Sequence, residues 1–160
     1  MLATGGATGL ALRGSQPLEF LPPGLRSFSA AEASLVAALA EVMLPSRVGF
    51  PSWQDADVLM TADRLLQRTE PEVTAEVKQL LGLFENALPV FLFSGHTAPF
   101  TQLARDAQER VLEGWRDSRL VLRRTGYQAL RGLLLAAYYA SPLTWRAVGY
   151  PGPPSLEAAR

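Results

Sequence analysis

The side chains best suited to acid–base or nucleophilic chemistry are few in this chain. The one histidine, His96, follows Gly95 and could act as an acid/base group with a nearby carboxylate such as Glu85. A polar residue that satisfies a turn explains the same histidine, and we prefer that interpretation. The chain has no cysteine. Because zinc sites and carboxylate-bridged iron sites use several histidines or cysteines, we predict no metal site.

Other catalytic patterns are equally sparse. Ser34, Ser94 and Ser141 lack the G-x-S-x-G surroundings of a nucleophilic serine. The stretch "GGATGLALRG" has neither G-x-G-x-x-G nor the lysine of a phosphate-binding loop, so we expect no cofactor in this chain. Glu109 and Glu113 share a helix face, but neighbouring arginines can neutralise them, which is typical of a solvated surface.

Composition limits the classes of partner. The 160 residues are about one domain in length, and 48% of them are hydrophobic, which argues against a disordered protein. Fifteen basic and fifteen acidic residues cancel, so the chain has no positive field of the kind that attracts nucleic acid. No window reaches the roughly 18 apolar residues of a transmembrane helix, and we expect no membrane span.

Hydrophobic periodicity predicts an all-α fold, an irregular antiparallel bundle of about five helices with an extended N-terminal arm and a Pro/aromatic C-terminal tail. We assign residues 1–27 to the arm, which is also interpretable as the remnant of an export signal. Residues 28–154 form a single helical domain with its tail, and residues 155–160 a disordered end.

The first two helices have clear local signals. Ser29 and Glu32 form an S-x-x-E capping box, so order is expected to begin at Ser29, and Pro45 ends the first helix. A second helix is expected from near Asp55 to Thr69. Its apolar residues form one face, and three charged residues are predicted to point away from that face: Asp63, Arg64 and Arg68.

The remaining helices follow from proline and apolar spacing. Pro71 suits the first turn of a third helix, whose inward stripe includes Val73 and Phe84. A fourth helix is expected from about Thr101. The last helix should run from Ser118 to Ala140 and, because its end is almost wholly apolar, be buried there on most sides.

The C-terminal tail, defined here as Tyr138 to Pro154, reads "YYASPLTWRAVGYPGPP". A helix cannot continue through Pro142, so we predict an irregular, stiff extension. Its large rings need a surface to pack against. That surface is either another polypeptide or the chain's own bundle, with Trp145 plugging the core.

Three segments resemble one known family. The tail, the opening segment "FSAAEASLVAALAEVMLPS" and the last helix "RTGYQALRGLLLAAYY" are similar to the gluconate 2-dehydrogenase subunit 3 family, the small subunit of flavin-dependent sugar and alcohol dehydrogenases. The likeness covers most of residues 28–154. The resemblance implies an accessory chain, not an enzyme, that binds and stabilises a catalytic subunit of the glucose-methanol-choline type.

The resemblance also implies where the chemistry lies. FAD and substrate belong to the catalytic subunit, and a cytochrome c subunit is a further candidate partner. Family members often carry a twin-arginine export signal and escort the folded partner, which implies the periplasm or cell envelope, with the cytoplasm as the alternative. The residues expected to bind the partner are Tyr138, Tyr139, Pro142, Trp145, Tyr150, Pro151, Gly152, Pro153 and Pro154. The competing hypotheses are a stand-alone helical enzyme that uses His96 and a structural homo-oligomer.

Overall fold

The structure, a computed structural model, describes residues 22–44, 47–86 and 98–153. These residues form six α-helices and one 3₁₀ turn, and no strand occurs among them, so the predicted all-α class is confirmed. The elements are α1 (Ala30–Met43), α2 (Val58–Gln67), α3 (Pro71–Glu85), the 3₁₀ turn (Phe100–Gln102), α4 (Arg105–Arg116), α5 (Val121–Tyr139) and α6 (Pro142–Ala147).

Local sequence signals explain where α1 and α3 begin. The Ser29 hydroxyl accepts the backbone N–H of Glu32, and the Glu32 carboxylate accepts the backbone N–H of Ser29, so the predicted capping box is confirmed. Pro71 is the first residue of α3, where its missing N–H leaves no hydrogen bond unmade. Both boundaries therefore come from side chains within one helical turn.

Helix α5 is the central element of the bundle. It has 19 residues and contacts α1, α2, α3, α4 and α6. Its buried residues join one apolar core with residues from four other helices, and the Phe84 and Trp115 rings lie 3.9 Å apart in that core. Each fully buried large side chain contributes about 1.5–3 kcal/mol. Within the described part of the chain, no helix combines the length and apolar composition needed to cross a bilayer.

The structure corrects several helix predictions. The fourth helix begins at Arg105 instead of Thr101, because residues 100–102 form a separate 3₁₀ turn and Leu103 is extended. The end of α5 is buried on one face only, since Ala136 and Tyr139 are exposed while Leu134 and Ala137 are enclosed. The apolar end of α5 therefore leaves exposed apolar surface beside the tail. Pro89 and most of the run around His96 lie outside the described residues.

One prediction about a charged residue of α2 is wrong. Asp63 was expected to point to solvent, but its side chain is fully buried. The Asp63 carboxylate accepts the backbone N–H groups of Arg26, Ser27 and Phe28, so the chain is held in place before Ser29. Most of the predicted arm, residues 1–21, lies outside the described residues, as do residues 155–160 of the predicted disordered end.

Candidate functional site

The end of α5 and the turn after it place the tail. Pro142 is the first residue of α6, so the predicted irregular extension is in part a short helix. The Thr144 side chain is fully buried, and its hydroxyl lies within hydrogen-bond distance of the carbonyl oxygens of Tyr138, at 3.1 Å, and Ser141, at 2.7 Å. This link fixes α6 against the end of α5.

Tyr138 belongs to the core and not to the surface. Its side chain is fully buried, and its hydroxyl donates a 2.7 Å hydrogen bond to the carbonyl oxygen of Pro51. Burial raises the pKa of the Tyr138 phenol, and Tyr139 raises it further, against an opposing effect of Arg47. The prediction that Tyr138 contacts a partner is therefore corrected, because an enclosed ring offers no surface to another chain.

Trp145 organises the tail. Its indole N–H donates a 2.7 Å hydrogen bond to the carbonyl oxygen of Tyr139, and its ring meets the Tyr150 ring edge-on at 5.7 Å. Gly152 has a φ of +106°, and a Cβ there would lie 3.3 Å from the indole, so glycine suits this position on both counts. Trp145 is half-buried in this arrangement and does not plug the core.

Four large apolar side chains remain exposed at this end of the molecule. Tyr139 is 40% exposed and Tyr150 is 46% exposed. Leu143 and Val148, on and just after α6, are similarly exposed and were not predicted from the sequence. We call these four residues the tail surface. No local pattern marks these two residues, because positions five apart do not share a helix face.

The other predicted tail residues differ in their positions. Pro142, Pro151 and Pro153 are exposed, and Gly152 is half-buried beneath Trp145. Pro154 lies outside the described residues. The structure thus brings Tyr139, Trp145, Tyr150 and Gly152 together at one end of the bundle. What they bind stays a prediction.

A second apolar surface lies between α3 and the first half of α5. It is a groove of about 330 Å³ whose lining includes Val73, Leu80, Leu83, Leu122 and Gly126. The sequence assigned Val73 to the core, but it is 45% exposed, and the fully buried residues of α3 are Leu81 and Phe84. Periodicity alone could not separate a stripe that lines a groove from one that lines the core.

Glu85, the carboxylate considered as a partner of His96, connects two elements. It accepts hydrogen bonds from the Thr101 hydroxyl at 2.5 Å and from the Thr101 backbone N–H at 3.2 Å. Burial raises the pKa of Glu85, although both bonds from Thr101 oppose that shift. His96 lies outside the described residues. The contacts of Glu85 therefore describe a tether between α3 and the segment before α4.

Replacing Glu85 by glutamine should change how stability depends on pH. Because the folded pKa is raised above the ordinary 4.5, the contribution of Glu85 is full below pH 4.5 and is lost as pH rises through the folded value. We expect Glu85→Gln to match the wild type near pH 4 and to gain stability relative to it toward pH 7. Urea unfolding of both proteins across this range measures the difference.

Glu109→Gln controls for the loss of a carboxylate. Glu109 is half-exposed and pairs with Arg105 at 3.2 Å, as expected for a solvated helix face. A Glu85→Gln protein that loses stability relative to wild type as pH rises would contradict a raised pKa for Glu85.

Among the described residues, no three histidine or acidic side chains lie close enough to share a metal ion.

Comparison with known proteins identifies the family of the chain. A family model described as gluconate 2-dehydrogenase subunit 3 matches residues 30–152. The matched range begins at the first residue of α1 and ends within the tail, at the glycine beneath Trp145. Searches of curated proteins and of solved structures gave no match.

Proposed function

The chain belongs to the gluconate 2-dehydrogenase subunit 3 family, and from this membership we propose that it is the non-catalytic small subunit of a flavin-dependent dehydrogenase. In this proposal it binds and stabilises a catalytic subunit of the glucose-methanol-choline type that oxidises a sugar or an alcohol. The tail surface is the observation that carries the proposal, because the family match extends into the segment that presents it.

The geometry of the tail suits docking. Aromatic side chains lose little conformational entropy on binding when they are already held, and they contribute large apolar area to interfaces. Tyr150 is held by the Trp145 ring, and Trp145 is itself held by the carbonyl oxygen of Tyr139. The exposed halves of Tyr139 and Tyr150 are therefore positioned before any partner arrives.

The proposal divides the work between two chains. The catalytic subunit holds FAD and the substrate, and this chain contributes contact surface and no cofactor of its own. A cytochrome c subunit is the candidate electron acceptor of the assembly. We further propose that the chain escorts its partner during export, which places the complex in the periplasm or cell envelope.

Co-expression with the flanking genes tests the proposal. We expect an affinity-tagged form of this chain to purify with a second, larger polypeptide that carries a flavin absorbance spectrum, in a stable stoichiometric complex. The isolated small subunit should show no dehydrogenase activity with sugars or alcohols. Recovery of the tagged chain alone under these conditions, or turnover by the isolated chain, would contradict the proposed role.

A further inference from the structure

The loop between α1 and α2 lies at the same end of the bundle as the tail. The Tyr138 hydroxyl donates its hydrogen bond to the carbonyl oxygen of Pro51 in this loop, and the Tyr138 ring meets the Tyr139 ring edge-on at 5.3 Å. Pro51 is thus joined through one buried side chain to a residue of the tail surface. A partner that covers Tyr139 comes close to this loop.

The loop forms one wall of a pocket of about 480 Å³ against the end of α1. Its lining includes Leu44, Val48, Phe50 and Trp53. Val48 is fully exposed, and the next residue, Gly49, has a left-handed φ of +89° that glycine adopts without strain. A large apolar side chain is therefore presented to solvent at the mouth of the pocket.

The two charged side chains that line the pocket, Glu41 and Arg47, differ in the contacts they make. Glu41 accepts hydrogen bonds from the Trp53 indole at 2.7 Å and from Arg105 at 3.3 Å, so its carboxylate is already compensated. Arg47 is exposed and makes no ion pair with any residue in the described ranges. Its guanidinium carbon lies 4.2 Å from the centre of the Phe50 ring. The pocket therefore offers a stacked cation beside apolar side chains.

We infer that this pocket is a second contact point for the catalytic subunit, and that it receives a carboxylate side chain next to a large apolar one. This inference rests on the proposed function. The stacked guanidinium of Arg47 supports it, because a guanidinium held on a ring is oriented and can bind a carboxylate through two parallel hydrogen bonds. Continuity with the tail surface through Tyr138 and Pro51 supports the same occupant.

Charge reversal at Arg47 tests the inference. With the co-purified catalytic subunit as the probe, we expect Arg47→Glu to raise the Kd about tenfold or more and to reduce its dependence on salt. Arg47→Lys should lie between this variant and the wild type, since lysine keeps the charge but not the planar geometry. Val48→Ser should weaken binding severalfold through the loss of apolar contact.

Arg119→Glu is the matched control. Arg119 is exposed and precedes α5, whereas the tail begins with the last two residues of α5, a helix of 19 residues that is about 28 Å long. If Arg47→Glu binds as tightly as Arg119→Glu, the pocket is not a contact point and the inference is overturned, while a wild-type complex still supports the proposed function. If the wild-type chain forms no complex, both fail.

Discussion

Replacing Tyr139 and Tyr150 together by serine is expected to weaken binding of the catalytic subunit about a hundredfold, or about 3 kcal/mol. Each ring is nearly half exposed in the free chain and would lose its apolar contact area with the partner. Folding should suffer less, since partly exposed positions change stability by about 1 kcal/mol or less. Calorimetric titration gives the Kd, and thermal unfolding of the free subunit gives the stability.

Leu122→Ser tests whether the partner binds the tail surface or the groove between α3 and α5. Leu122 is 69% exposed and lines that groove, near the opposite end of α5 from Tyr139. We expect its substitution to leave the Kd unchanged. If Leu122→Ser weakens the complex and the double tyrosine variant does not, the groove is the docking face and the proposal for the tail surface is wrong.

The other large effect concerns Asp63, which fastens the start of the domain to α2. Its carboxylate accepts three backbone N–H groups, from Arg26 at 3.0 Å and from Ser27 and Phe28 at 2.8 Å each. The side-chain amide of Gln67 donates a fourth hydrogen bond at 2.6 Å. A buried anion with four donors is fully satisfied, and removing its charge leaves those donors poorly paired.

We therefore expect Asp63→Asn to lower the free energy of unfolding by about 3 kcal/mol at neutral pH. Asparagine keeps one oxygen but turns an N–H₂ group toward two of the donors. Urea unfolding measures the loss. Asp106→Asn is the matched control, because Asp106 forms an exposed ion pair with Arg110 and its substitution should leave the unfolding free energy almost unchanged.

The environment of Asp63 also determines how the stability that it contributes depends on pH. Burial alone raises the pKa of Asp63, but the three backbone N–H groups and the Gln67 amide together hold it below its ordinary value of 3.8. The contribution of Asp63 is therefore present above pH 3.8 and is lost as pH falls through the folded pKa. The gap between wild type and Asp63→Asn should narrow at acid pH. A gap that stays constant to pH 2 would contradict this account.

The pKa values of Glu85 and Asp63 shift in opposite directions, although both side chains are carboxylates in one small domain. Among the described residues, Asp63 has four donors and Glu85 has one donor residue, Thr101. Four donors outweigh the cost of burying a charge, and the two bonds from Thr101 do not. The balance between the cost of burying the charge and the hydrogen bonds that each carboxylate accepts gives the direction of each pKa shift.

The sequence alone determined the features that depend on neighbouring residues. The capping box at Ser29 and the proline in the first turn of α3 depend on residues within one helical turn. The residue types at these positions were therefore sufficient to predict where α1 and α3 begin. The end of α5 before Pro142 was predictable for the same reason, as was the all-α class. The resemblance to the family was also carried by contiguous segments.

Only the tertiary structure decided which polar and aromatic residues are buried. Asp63 binds backbone groups more than thirty positions away, and Tyr138 bonds a carbonyl 87 positions away. Tyr138 and Tyr139 are adjacent residues of the same type, yet the Tyr138 side chain is fully buried and Tyr139 is 40% exposed. Helical geometry turns successive side chains by about 100°, so burial depends on which elements pack on each face. Such long-range packing leaves no local signal in the sequence.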